Sequence, residues 1–319
     1  MSADQFLSFE ITAPLFAKPK HLTQTTAWHG HLPFARWIVA AAKLEVLVEL
    51  GVHEGASYCT FCESVARFGS NTKCYGVDAW EGDHQAGFYG DQVLKALSAY
   101  HDPLYSSFST LVQKWFADAA QDFDDGSIDL LHIDGLHTYD AVKADFEAYL
   151  PKMSKSGVIL FHDTVVRHGD FGVWALWEEL TKKYPHFEFT HSNGLGVLCV
   201  GETPPPALSW LCGLKDPLRG EVHDFFANIG NRLIWETEEG RIRDRLTVME
   251  TSVNDQQSKM RWDNEFLNTI LQSRLDESAA LRDELRRLFA DFKTQEAKLA
   301  EVFVELDLKN DEIERLSNL

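Results

Sequence analysis

The stretch Val48-Glu49-Leu50-Gly51-Val52-His53-Glu54-Gly55-Ala56-Ser57 decides the fold of this 319-residue chain. Residues 44–50 read as a buried strand that runs straight into a glycine turn. The segment after it, from about Ser57, carries Tyr58, Phe61, Cys62 and Val65 at helical spacing. Strand, tight loop and helix make one half of a nucleotide-binding α/β unit, where glycines let the backbone turn sharply and approach a ligand. Gly51 and Gly55 stand as Gly-x-x-x-Gly rather than Gly-x-Gly-x-x-Gly, so a pyrophosphate cradle is not made. Glu49 offers an acid to a ligand's amino group, directly or through water, where a dinucleotide presents only phosphates. A second strand, 73–77, ends at Asp78, placed to accept two hydrogen bonds from ribose hydroxyls. Amine and ribose together point to S-adenosylmethionine, with Glu49, Gly51, Gly55, Ser57 and Asp78 as its binding residues. The competing reading is a cofactor-free doubly wound domain.

Working outward, strand and helix patterns alternate to about residue 200, with strands expected at 44–50, 73–77, 105–112, 128–133, 157–162, 186–190 and 195–200. Such alternation predicts a doubly wound, mostly parallel seven-stranded α/β sheet covered on both faces. The last two segments are close enough to close the sheet as an antiparallel hairpin. The domains expected are an N-terminal extension with a helix over 35–43 (1–43), the α/β domain (44–203), a linker with short helices (204–240) and a coiled coil (241–319). The extension carries an aromatic and histidine cluster, Trp28-His29-Gly30-His31-Leu32-Pro33-Phe34.

Composition sets bounds. Hydrophobic residues make up 45% of the chain, and no run of eighteen apolar residues exists to span a membrane. A net charge of −19 argues against nucleic acid, whose phosphates need clustered Lys and Arg. Five cysteines without a framework spacing, and a start lacking the pattern of a signal peptide, read as cytoplasmic. Cys59 and Cys62 form a lone Cys-x-x-Cys and read as packing residues rather than a zinc site.

Strand 128–133 delivers Asp134 to its carboxyl end, where α/β sheets keep their sites, and His137 follows in Asp134-Gly135-Leu136-His137. Strand 157–162 delivers His162 and Asp163 to the same edge. Two carboxylates and two imidazoles there suit a divalent metal: Mg²⁺ or Mn²⁺ by the oxygens, Mn²⁺, Fe²⁺ or Zn²⁺ where a histidine joins. An unperturbed alcohol lies near the 15.7 of water and histidine near 6.5, a gap of about nine units, or roughly 12 kcal/mol. A histidine base alone does not bridge that quickly, and a cation removes several units of it. The expected roles are metal ligation by Asp134, His162 and Asp163, with His137 and Asp134 catalytic. The segment 80–90, rich in glycine, aromatics and donors, sits where substrate would enter, with His84 and Tyr89 as substrate contacts; a structural loop fits its composition equally.

The run Ile133-Asp134-Gly135-Leu136-His137-Thr138-Tyr139-Asp140-Ala141-Val142-Lys143-Ala144-Asp145, with Gly157 and then His162-Asp163-Thr164, resembles class I methyltransferases related to macrolide-sugar O-methyltransferases and the cephalosporin-hydroxylase group. The resemblance covers roughly residues 25–202. It implies metal ligation at the Asp134 and 162–163 positions and a base at His137; His162 departs from the pattern, standing where an acid can. Similar domains joined to coiled coils methylate a terminal sugar in bacterial surface-polysaccharide synthesis, including O-antigen, and so stop chain growth. The resemblance implies a metal-assisted sugar O-methyltransferase at work with polysaccharide-assembly enzymes, peripheral at the inner membrane through those partners. The rival readings are methylation of a small secondary metabolite and a non-catalytic nucleotide- or sugar-binding scaffold.

From Leu281 the apolar residues step by alternating fours and threes through Leu285, Leu288, Phe292, Leu299, Val302, Leu306, Ile313 and Leu316, interrupted at Gln295 and Lys309. That register predicts a self-associating coiled coil over 241–319, three strands rather than two because the d-type positions are mixed.

Overall fold

A computed structural model of the chain describes residues 8, 12–23, 27–68 and 71–317, with side chains given only in part beyond residue 301. Pro33 lies in the first turn of helix α1 (Leu32–Ala42), where its missing N–H is harmless. The helix therefore starts three residues before the expected 35. Then come β1 (Val46–Leu50), α2 (Ala56–Phe68), β2 (Lys73–Asp78) and a two-stranded ribbon of β3 (Gly82–Asp83) and β4 (Gly87–Phe88). After these follow α3 (Asp91–Tyr105), β5 (Ser109–Gln113), α4 (Phe116–Ala119), β6 (Ile128–Ile133), α5 (Tyr139–Tyr149) and β7 (Met153–His162). Helix α6 (Val173–Leu180), β8 (His186–Phe189), β9 (Leu195–Cys199), α7 (Pro206–Cys212) and α8 (Leu218–Ser317) complete the order.

The sheet runs β5-β2-β1-β6-β7-β9-β8, parallel except for β9, which is antiparallel to both β7 and β8. That order, with its closing hairpin, is the Rossmann-like methyltransferase fold. Successive side chains of a strand face opposite sides. Leu47, Leu130 and Leu160 thus join the core under α1 and α2, while Val48, Leu131 and Ile159 join the core under α5 and α6. Cys59 and Cys62 are buried in the first of these.

One strand begins later than expected. Residues 105–108 are not strand, because the buried Leu97, His101 and Tyr105 continue a helical stripe at four-residue spacing to the end of α3. The strand that follows covers only Ser109–Gln113.

Residues 1–240 and 241–319 form two units. In the first, the opening turns of α8 bury Val222, Phe226, Ile229 and Leu233. The expected linker is therefore α7 and the start of one long helix. In the second, Leu246, Leu267, Leu281, Leu285, Leu288, Phe292 and Leu299 are all exposed. The side chains of Val302, Leu306, Ile313 and Leu316 lie outside the described residues. No helix among the described residues is long and apolar enough to cross a membrane.

Candidate active site

The carboxyl edge of the parallel strands carries a cleft with two cavities. The larger, about 530 Å³, is lined by Asp78, Tyr89, Trp115, Phe116, Leu136 and Asp145 among others; the smaller, about 160 Å³, by Trp28, Gly55, Ser57, His137, His162 and Asp163 among others. Gly51, His53 and Asp134 line both.

The glycine loop has a steric reason for its composition. Gly51 has φ +92°, and a Cβ there would come within 2.0 Å of the Asp134 carbonyl oxygen. Gly55 has φ +83°, and its Cβ would meet Leu97. Only glycine fits both positions. Three non-glycine residues at the carboxyl ends of strands also take positive φ: His53, Trp80 and Asp163. Strained backbone of this kind gathers at ligand sites, where the surroundings hold it in place.

Asp78 lines the larger cavity. Its Oδ2 accepts from the His53 N–H at 2.9 Å and its Oδ1 from the Trp80 N–H at 2.6 Å. Burial raises its pKa against these two bonds. Each oxygen keeps a lone pair for a ribose hydroxyl, so the residues present fit that group.

Glu49 stands elsewhere than expected. Its carboxylate is fully buried behind the smaller cavity, accepting from the Ser57 hydroxyl at 2.7 Å, with Oε2 at 3.3 Å from His132 Nδ1. Trp28 Nε1–H donates to His132 Nε2 at 3.2 Å, so the His132 proton sits on Nδ1 and faces Glu49. Burial pushes the Glu49 carboxyl up, although His132 and Ser57 oppose it. Ser57, not Glu49, reaches the cavity wall. A direct contact between Glu49 and a ligand amine is not made available by this geometry; Ser57 stands between the acid and the cavity.

Asp134, His137, His162 and Asp163 each offer a ligand atom, all within 4.8 Å of one another. His137 Nε2 lies 3.3 Å from Asp134 Oδ1 and 3.0 Å from Asp163 Oδ2. His162 Nδ1 lies 3.1 Å from the same Asp134 oxygen and 3.4 Å from Asp163 Oδ1. Burial would raise the Asp134 carboxyl, but the imidazoles of His162 and His137 hold it well below its ordinary range. Burial would likewise lower His137; its hydrogen bonds to Asp134 and Asp163 overcome this and push it up to about 10. His162 is also raised, its burial outweighed by Asp134 and Asp163. Asp163 Oδ1 is buried without a hydrogen-bond partner. Two imidazoles and two carboxylates converge, and the one unsatisfied oxygen is the atom a cation would take. The donor set fits a divalent metal.

His84 and Tyr89, the expected substrate contacts, both line the larger cavity. His84 Nε2 pairs with Asp170 at 2.7 Å, and Tyr89 packs its ring on His53 at 4.8 Å. Four residues of this neighbourhood escape a reading of strand ends. Gln85 bonds His137, Phe171 stacks on the His137 ring at 4.9 Å, Trp28 reaches in from the N-terminal segment, and Asp145 lines the larger cavity. Asp145 belongs to the quoted run 133–145 and follows Ala141 by one helical turn, both lining the larger cavity, while Trp28 and Gln85 fall in segments singled out above for composition alone. Burial pushes its carboxyl up to about 7.

Residues 48–164 match the model of a family described as a methyltransferase domain. That match spans β1 through the turn after β7 and contains all four clustered residues. The match to a methyltransferase domain thus lies within the α/β unit. Among curated proteins, the chain is 39% identical over 251 residues to the uncharacterised protein y4gI of Sinorhizobium fredii. The match takes in 78% of this chain but only 27% of that protein, so the chain spans about a quarter of its relative's length. Among solved structures, it is similar to the O-methyltransferase TomG of Streptomyces achromogenes, involved in tomaymycin synthesis (12% identity, 63% of this chain and 99% of that one, TM-score 0.42). An O-methyltransferase of Bacillus cereus is likewise similar (13% identity, 61% and 89%, TM-score 0.42).

Proposed function

We propose that this chain is a metal-assisted O-methyltransferase that moves a methyl group from S-adenosylmethionine to a sugar hydroxyl, the acceptor being the terminal residue of a bacterial surface glycan. The observation that carries the reading is the convergence of Asp134, His137, His162 and Asp163 within 4.8 Å, beside a glycine loop that lines the same cleft. Asp78 receives the ribose, and the loop from Gly51 to Ser57 receives the methionine portion. Asp134, His162 and Asp163 would hold a divalent cation, Mg²⁺ or Mn²⁺. Such a cation supplies Lewis-acid lowering of the acceptor hydroxyl's pKa.

His137 is the base. Beside two bare carboxylates its ring stays protonated, which no base can be. Once the charge of Asp134 and Asp163 is neutralised, nothing holds that proton, and Nε2 can take the hydroxyl proton instead. The methyl carbon then leaves sulfur for oxygen, the S–C bond breaking as the O–C bond forms. Exposed rings at the mouth, Phe88 and Trp115, beside the carboxylates of Asp83 and Asp170, suit a sugar, whose apolar face stacks and whose hydroxyls seek acceptors.

The exposed leucine seam of α8 supports self-association over 241–319 as a parallel coiled coil, three strands rather than two. The partners of the assembled chain are polysaccharide-assembly enzymes at the inner membrane. Transfer of a labelled methyl group from S-adenosylmethionine to lipid-linked glycans of the source organism tests the proposal. Label in the terminal sugar, lost on chelation, is the expected result; label only in small metabolites would reassign the acceptor.

A further inference from the structure

Gln85 lies in the turn between β3 and β4, where Asp83 Oδ1 accepts from the backbone N–H groups of Gln85 at 2.7 Å and Ala86 at 2.8 Å. The turn holds its backbone still. Its side-chain Nε2 donates to Asp170 Oδ1 at 2.7 Å. A carboxylate only accepts, so the amide nitrogen must face Asp170 and the amide oxygen must face the other way. That oxygen lies 3.0 Å from the His137 backbone N–H and 3.0 Å from His137 Nδ1. The first of these partners is always a donor, so both ends of the amide are fixed independently of the imidazole.

An amide oxygen cannot donate, so His137 Nδ1 must carry a proton in every charge state that keeps this bond. When the ring is neutral its lone pair is therefore on Nε2, the nitrogen that faces Asp134 and Asp163. Phe171 stacked on the ring at 10° between planes, and Gly172 N–H bonded to the His137 carbonyl at 2.7 Å, keep the imidazole in that plane. His84 grips the second oxygen of Asp170 at 2.7 Å, so the residue that orients Gln85 is itself held from the same turn.

We infer that Gln85 is a positioning residue: it sets the tautomer and ring plane of His137, so that Nε2 alone is the working nitrogen. The consequence for rate rests on the methyltransferase reading; the consequence for the ring does not. Outer hydrogen bonds of this sort to a site histidine typically change activity by about 10- to 100-fold.

Two measurements on the full-length chain test it. With ¹⁵N-histidine label, the His137 Nδ1–H should give a slowly exchanging proton resonance downfield of the amides, assigned by its absence from His137→Asn. Gln85→Met, which keeps the length and removes the acceptor, should abolish that resonance, and Gln85→Glu, which keeps an acceptor, should retain it. In methyl transfer, Gln85→Met should lower kcat by about 10- to 100-fold with KM for S-adenosylmethionine within about threefold, and Gln85→Glu should recover most of the rate. A resonance that persists in Gln85→Met, or is missing from the wild type, overturns the inference, as does an unchanged kcat. A wild-type chain that shows the resonance but transfers no methyl group would sink the activity reading while the tautomer assignment stood.

Discussion

The two halves of the cleft hold their acids in different ways. On the side of β1 and β2, each acid is held by uncharged donors: Asp78 takes two backbone N–H groups, and Glu49 takes the Ser57 hydroxyl, its Oε2 lying 3.3 Å from His132 Nδ1 without a hydrogen bond. On the side of β6 and β7, the charged groups crowd one another, and Asp163 Oδ1 is left buried without a hydrogen-bond partner. A half whose acids are held by uncharged donors keeps its shape and can receive a ligand with little rearrangement. A half that holds like charges together with a shared proton is poised to exchange that proton for something else. On the proposed reading the first half binds the cofactor and the second carries the reaction.

If that division is right, substitutions should separate the two. Asp134→Asn and Asp163→Asn, or a chelator, are expected to abolish transfer while the affinity for S-adenosylhomocysteine stays within about threefold, a split that calorimetry beside a rate assay resolves. His137→Ala should lose roughly 10² to 10⁴ in kcat, the usual contribution of a positioned base. Equal losses of binding in these variants would erase the distinction between the halves.

The converse substitution has a smaller effect. Asp78→Ala should weaken cofactor binding more than tenfold, since each charge-assisted hydrogen bond to ribose contributes about 1.5–3 kcal/mol, part of it already spent in ordering. Its kcat at saturating cofactor should stay near that of the wild type.

The crowded half should also reveal itself through protons. His137 is raised from 6.5 to about 10 in the metal-free chain. A raised histidine stabilises the fold fully below its unfolded pKa, near 6.5, and that stabilisation is lost as pH rises through about 10. Thermal stability of the metal-free protein should therefore fall across this window, and His137→Asn should flatten the fall. Metal binding near neutrality should release a proton and tighten with rising pH, as calorimetry in buffers of differing ionisation enthalpy would show. A metal affinity independent of pH would mean that the cation binds elsewhere.

The smallest effect on chemistry is expected from the tail. Light scattering should find the full chain oligomeric and a chain ending near Thr247 a smaller species, with the rate per site unchanged. A monomeric full-length protein would remove the coiled coil.

Much of this was legible in the sequence because strand periodicity and the carboxyl-end rule are local. Asp78, Asp134, His137, His162 and Asp163 each end or follow a strand that its own residues specify, and each stands at the cleft. What the sequence could not carry is direction. Glu49 is on the expected strand, yet its side chain is buried beneath the loop, where Ser57 donates to it and His132 lies 3.3 Å away. Gln85 and Trp28 reach the site from turns whose composition says nothing of their aim. Residues 105–108 were misread as strand because Tyr105 and Phe108 suit either element, and the stripe from Leu97 through His101 decides for helix.

The central claim is that one cleft binds S-adenosylmethionine on its β1–β2 half and a divalent cation on its crowded half. Titrating S-adenosylhomocysteine and Mn²⁺ into the intact chain by calorimetry, alone and together, tests it most directly. The account predicts one site per chain for each, the first weakened by Asp78→Ala only and the second by Asp163→Asn only. Failure of the wild type to bind S-adenosylhomocysteine, or Mn²⁺ binding indifferent to Asp163→Asn, would contradict it.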